Sequence, residues 1–143
     1  MKPNYSEIYT ILRQSNWKIT PQRKVIIEAL YMAQAPVAPL QLFSMSRKNN
    51  PRIGLVTVYR TLEILDSAGL ICHLNLPDGQ RGYMLKHCTA GHHHHLLCTI
   101  CGLMVNFDNC NLADVENELA TRTGFVIQSH LVELNGVCPA CQC

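Results

Sequence analysis

Residues 57–85 read TVYRTLEILDSAGLICHLNLPDGQRGYML, and within them the hydrophobic period changes. From Thr57 to Ala68, Val58, Leu62 and Leu65 recur at helical spacing and Gly69 supplies a stop. Ile71–Leu76 and Gly82–Leu85 are short extended runs on either side of Pro77-Asp78-Gly79-Gln80, which is hairpin turn chemistry. Upstream the period is helical throughout. Tyr5–Gln14 places Ile8, Ile11 and Leu12 on one side. Thr20 and Pro21 form a cap and first-position pair for a helix running to Met32, with Val25, Ile26, Ala29 and Leu30 on its apolar face. Pro36 and Pro39 interrupt the chain before a short helix over Leu40–Lys48, and Asn49–Arg52 is a turn. Helices followed by a two-stranded hairpin are the parts of a winged helix-turn-helix, with residues 57–68 as recognition helix and the hairpin as wing.

Downstream the pattern differs. Leu96–Leu97 and Leu103–Phe107 read as strands interrupted by Cys98-Thr99-Ile100-Cys101. Leu112–Arg122 reads as a helix capped by Asn111 and ended before Gly124, and Phe125–Leu134 as an apolar, β-rich stretch leading to Cys138-Pro139-Ala140-Cys141. The expected class is α+β: a winged-helix DNA-binding domain over 1–86 and a small α/β domain over 87–143.

Charge follows the same division. Residues 1–86 hold eleven of the twelve Lys and Arg and five of the ten acidic groups, a net of +6; residues 87–143 hold Arg122 alone against five acids, a net of −4. Seven of eight Cys and six of seven His fall in the second part. One half thus suits a polyanion and the other a metal. With 48% hydrophobic residues in 143, global disorder is excluded. No apolar run approaches the roughly 20 residues of a membrane span, so no membrane partner is expected. Lys2, Glu7 and Arg13 interrupt the first residues in a way no signal peptide does, so the cytoplasm is the expected compartment.

Cys98-x-x-Cys101 with Cys138-x-x-Cys141 carries the most specific chemistry. Each pair turns two thiolates toward one point, and two such knuckles complete a closed S₄ shell of the kind that selects Zn²⁺. Disulfides compete, but a reducing compartment disfavours them. A thioredoxin-like Cys-Pro-Ala-Cys would need a strand feeding a helix. In Cys88-x-x-x-His92-His93-His94-His95, an extended backbone sends His93 and His95 to one side and His92 and His94 to the other. Cys110 is either a loop residue or a redox-sensitive thiol, and Cys72 reads as a small packing residue. On the helix before the wing, Thr57, Tyr59 and Arg60 are placed to reach double-stranded DNA: Arg60 at phosphate or guanine, Tyr59 at phosphate or a thymine methyl. Arg23, Lys24, Lys18, Arg13, Arg52 and Arg81 are expected on the DNA backbone. A zinc deaminase would require His-x-Glu, which does not occur, so neither an enzyme nor a small-molecule substrate is expected.

The segments ITPQR (19–23), VTVYRTLEIL (56–65), AGLI (68–71), HHHHLLCTICG (92–102) and GVCPAC (136–141) together resemble the ferric uptake regulator family, in order and spacing, over almost the whole chain. The resemblance implies a homodimeric, metal-responsive repressor that binds operator DNA, with a C-terminal dimerisation domain and a structural zinc at Cys98, Cys101, Cys138 and Cys141. In the iron-sensing branch the hinge site draws on an N-terminal His and a Glu before the His run. Here those stretches read Gln34-Ala35-Pro36-Val37 and Lys86-His87-Cys88. The set that remains, His73, Cys88, His93 and His95, looks like the zinc uptake regulator branch, and Asp78 or His87 could replace His73. The family's third site is matched by His92, His94 and His130. Its acid falls on Ala113, and Asp114, Glu116 or Asp108 could substitute. An iron- or peroxide-responsive repressor is the alternative, against which a thiolate in the hinge site argues.

Overall fold

The computed structural model describes residues 4–86, 94–107 and 110–142. Its backbone divides into two compact units, Met1–Thr89 and Ala90–Cys143. Four helices open the first unit: α1 (Tyr5–Gln14), α2 (Pro21–Met32), α3 (Pro39–Asn49) and α4 (Leu55–Ser67). Their ends are set locally. Asn4 and Glu7 close a reciprocal box at α1, each side chain accepting the other's backbone N–H at 2.9 and 2.8 Å. Thr20 accepts the Arg23 amide ahead of Pro21. Gly69 follows α4 at φ +68°, a conformation that costs glycine nothing.

Ile8 and Leu12, Ile26 and Leu30, Leu42, and Val58, Leu62 and Leu65 meet in one core with Ile71 and Leu85 of the hairpin. Two sequence expectations shift. On α2, Ile27 is buried along with Ile26, Ala29 and Leu30 while Val25 is only partly covered, because the surrounding core encloses a wider arc than a single stripe. And α4 starts at Leu55, two residues before Thr57, with Gly54 as its cap and no side-chain bond to announce it.

The wing is β1 (Ile71–Asn75) against β2 (Arg81–Leu85), antiparallel, with Leu74 opposite Gly82. The linker between α2 and α3 adds a bridge that local sequence does not signal: Val37 and Tyr83 exchange backbone bonds of 3.0 and 2.9 Å. Gly82 makes this possible. A Cβ there would lie 2.7 Å from Leu76 Cδ2, 2.9 Å from Leu76 Cγ and 3.1 Å from Pro36 Cβ.

The second unit is a three-stranded sheet in the order β4-β3-β5, from β3 (His94–Cys98), β4 (Met104–Phe107) and β5 (Glu133–Gly136), with α5 (Ala113–Thr123) and a 3-10 turn at Pro139–Cys141. β3 is antiparallel to β4 and parallel to β5. The cap of α5 is Leu112, not Asn111, and no side chain bonds it. Leu112 is already in the right-handed helical region, which leaves Asn111 one residue too far upstream. Of the expected β-rich stretch 125–134, only its last two residues join β5. Val132 accepts the His95 amide at 3.1 Å just ahead of β5, and residues 124–131 lie in no strand, since strand propensity makes a strand only where the segment pairs with a neighbour. No helix among the described residues is long and apolar enough to cross a membrane.

Gly82→Ala should destabilise the first unit by about 1–3 kcal/mol through overpacking at Leu76 and Pro36. Trp17, the chain's single tryptophan, lies in this unit and reports its urea unfolding by fluorescence. An unchanged midpoint would mean that the wing's close approach is slack.

Candidate metal centres and nucleic-acid interface

Two parallel strands finish at the same edge of a sheet, and here each is followed by a Cys-x-x-Cys turn. The register sets Cys98 opposite Gly136, and Cys138 follows two residues later. Cys98 donates its amide to Leu103 O at 2.8 Å, Gly102 returns one to Cys98 O at 3.0 Å, and the Thr99 amide reaches across to Gly136 O at 2.9 Å. The four Sγ atoms consequently lie within 4.8 Å of one another, with Cys101 and Cys138 3.7 Å apart. With Zn–S near 2.3 Å, the edge of a tetrahedral S₄ shell is about 3.8 Å, so the donor set fits zinc. All four cysteines are free, and a disulfide would demand a separation of about 2.0 Å.

The backbone also prepares charge at this point. Amides of Cys101 and Cys138 hold the Cys98 thiol down to about 6, the Cys138 N–H donating to its sulfur at 3.3 Å. Hydrogen bonds with the Cys138 and Cys101 thiols push Cys141 up to about 12. Four sulfurs this close cannot all ionise unaided, and a dication is what would let them. Cys72 is a contrast: its thiol donates to Met84 O at 3.6 Å and burial raises its pKa, in keeping with packing.

Cys88, His92 and His93 lie outside the described residues, as do His87 and Asp108. Three of the four described histidines share one feature that sequence reading missed, an oxygen on one ring nitrogen: Asp66 Oδ1 at 3.3 Å from His73 Nε2, Asn106 Oδ1 at 2.9 Å from His95 Nδ1, and Glu116 Oε1 at 2.5 Å from His130 Nδ1. Such an oxygen fixes the ring proton and leaves the lone pair on the other nitrogen, as the outer partners of metal-bound imidazoles do. For His73 that other nitrogen, Nδ1, is buried with no hydrogen-bond partner among the described residues. A buried polar atom without a partner is costly unless something binds it.

Of the residues expected near a third site, His94 and His130 stack at 5.1 Å. The acid that meets His130 is Glu116. Asp114 stands two residues earlier on α5, and residues two apart on a helix do not share a face. Cys110 joins the two histidines, its Sγ 3.2 Å from His130 Nε2. Twenty residues separate that pair, and no local pattern links them.

On α4, Val58, Thr61, Leu62 and Leu65 turn to the core. Val56, Tyr59, Arg60 and Glu63 then fall on the opposite, exposed face, with Thr57 at its margin. Tyr59 and Arg60 lie in the N-terminal half of the helix, the part a recognition helix presents to bases. Arg81 is exposed on the wing beside the Pro77–Gln80 turn, opposite Asn75. Arg23 is half-buried and donates from Nη1 to the Lys18 carbonyl, so its guanidinium also fastens the entry to α2.

The ferric uptake regulator family model matches residues 14–135. The chain is 32% identical over 143 residues to the ferric uptake regulation protein of Bacillus subtilis, covering 99% of this chain and 96% of that one. It is 30% identical over 135 residues to the peroxide operon regulator of the same organism, covering 94% and 91%. Its fold is like that of a zinc uptake regulator solved with zinc and DNA, at a TM-score of 0.76 and 24% identity over 96% of this chain and 91% of that one. With a winged helix, a four-thiol cluster and this match over most of its length, the chain belongs to the ferric uptake regulator family of metal-responsive, DNA-binding transcriptional repressors.

Proposed function

We propose that this protein is a zinc-responsive repressor of zinc-uptake genes. It acts as a homodimer with a structural Zn²⁺ at Cys98, Cys101, Cys138 and Cys141 and a sensory Zn²⁺ at His73, Cys88, His93 and His95. The observation that carries the sensory reading is the buried Nδ1 of His73, its lone pair fixed by Asp66 on the far nitrogen. His95, held in the same way by Asn106, supports it. One thiolate with three imidazoles is softer than the His and carboxylate sets that suit iron, and it matches tetrahedral Zn²⁺. Regulation is then a linkage. Zinc that binds the DNA-competent form more tightly raises operator affinity, and operator DNA tightens zinc by the same factor.

The dimer reading rests on surface chemistry. Leu96, Val105, Leu131 and Leu134 are exposed in the second unit, as are Phe125 at 72% and Val126 at 86%. α5 buries no residue. Apolar exposure on this scale marks an interaction surface, and a second copy of the chain covers it without exposing a new one.

Cys101→Ser should lose the structural zinc and weaken the second unit by several kcal/mol, since metal binding and folding are coupled there. Metal analysis with thermal unfolding checks this, and a stable, zinc-replete variant would remove the assignment.

Arg60→Ala should cost roughly 1–3 kcal/mol of operator affinity if the guanidinium reads a base, or flatten the salt dependence if it holds phosphate. Operator titrations at several salt concentrations distinguish the two, and no change in either would take α4 out of the groove.

Cys88→Ser should keep fold and dimer yet lose the zinc dependence of operator binding. Operator affinity is measured against buffered free zinc and free iron. A full zinc response in this variant, or an iron response equal to zinc in the parent protein, would favour the iron branch.

A further inference from the structure

Besides the four cysteines, one other group of metal-ligating side chains converges among the described residues: His94, Cys110 and His130, their donor atoms within 4.8 Å of one another. Glu116 holds the His130 proton on Nδ1, so the Nε2 lone pair points to the side where Cys110 Sγ stands, 3.2 Å away. Around a tetrahedral zinc with Zn–S near 2.3 Å and Zn–N near 2.05 Å, neighbouring sulfur and nitrogen donors are about 3.5 Å apart. The pair needs to open by only a few tenths of an ångström. His94 is fully buried, with its ring against those of His130 and Phe107. A cavity of about 320 Å³ lined by Glu116, Ile127, Gln128, Ser129 and His130 adjoins the group.

We propose that Cys110 is a metal-ligating thiolate that completes an N₂S site for Zn²⁺ with His94 and His130, with Glu116 as the positioning residue of His130. This departs from the set expected from the sequence, in which an acid shares the site with His92, His94 and His130. Asp114 is not among the converging donors, and the carboxylate that is present, Glu116, grips the outer nitrogen of the imidazole. A thiolate in place of an acid moves the preference from harder ions toward zinc.

Binding releases the Cys110 thiol proton to solvent as the S–Zn bond forms. It also changes the partner of β5. Val132 donates its amide to His94 Nδ1 at 3.1 Å. A metal on Nδ1 takes the lone pair that accepts this bond, and a metal on Nε2 moves the ring proton to Nδ1. Either way Val132 loses its acceptor, so occupancy of the site is felt at the residue preceding β5.

The test is a zinc count on the full-length protein, stripped of weakly held metal and re-equilibrated in a zinc buffer. Cys110→Ser should bind one zinc fewer per chain than its parent. Cys88→Ser should lose a different zinc, and the double variant both, so failure of the sensory reading and failure of this one are told apart. Glu116→Gln should keep the four-cysteine zinc and weaken the Cys110 site by about 10–100-fold. Cleavage before Asp108 and Asp114 isolates Cys110 on its own peptide. Its alkylation should be slowed by zinc in the parent and in Cys88→Ser, and not in His130→Ala. An unchanged zinc count in Cys110→Ser, or zinc protection of Cys110 that survives His130→Ala, would overturn the proposal.

Discussion

The second unit rests on the parallel pairing of β3 with β5, because nearly everything else in it faces water. Among its described residues, Leu97 and Cys98 are the buried hydrophobic ones and His94 and His95 the buried polar ones. A domain of this size with so little covered apolar surface has no core large enough to offset the entropy of ordering its chain. Pairing Cys98 with Gly136 aligns the two strand ends, and that alignment alone brings four sulfurs to bonding distance of one point. A metal in that position clips strands thirty-five residues apart in sequence into one sheet, as the four-sulfur zinc of small domains does. The first unit needs no such device. Its four helices and hairpin share a continuous aliphatic core.

Around the histidines the same economy recurs with different chemistry. Asp66, Asn106 and Glu116 lie on three different elements or their margins, and each places an oxygen on one nitrogen of an imidazole. The physical effect is to choose a tautomer in advance. A neutral histidine free to place its proton on either nitrogen pays for that choice when it binds a metal, whereas a ring whose proton is already committed does not. The oxygen donors also differ in charge: His95 faces the neutral amide of Asn106, whereas His73 and His130 each face a carboxylate.

Local chemistry was legible in the sequence. Thr20-Pro21 starts α2, Gly69 ends α4, and Pro77–Gln80 turns the hairpin, with Gly79 donating to Leu76 O and Gln80 to the Asp78 carboxylate. The stripe of Val58, Leu62 and Leu65 was readable because helical period and burial coincide there. What escaped depends on partners distant in the chain. The Val37–Tyr83 bridge joins a proline-rich linker to the wing, and Cys110 meets His130 only after α5 has reversed the chain. Asn111 looked like a cap because asparagine usually serves as one, yet the backbone had already entered the helical region at Leu112. The stretch 125–131 has the composition of a strand yet lies in none. Composition describes what a segment can do, and pairing decides whether it does.

The distribution of sulfur over this fold implies a division of labour among its metal positions. Four thiolates form a closed, highly charged shell with no open position, which suits retention. A site with one thiolate and two or three imidazoles carries less charge and is held mostly by neutral ligands, which suits exchange with the surrounding metal pool. The ligands proposed for response, His73, Cys88, His93 and His95, and the trio His94, Cys110 and His130, are all of the second kind. His94 and His95 are neighbours on β3 whose side chains leave opposite faces of the strand. Any metal that fixes one of them stiffens the backbone that carries the other, and the same strand runs directly into Cys98. Occupancy at either proposed site would thereby be mechanically close to the four-cysteine cluster while sharing none of its ligands.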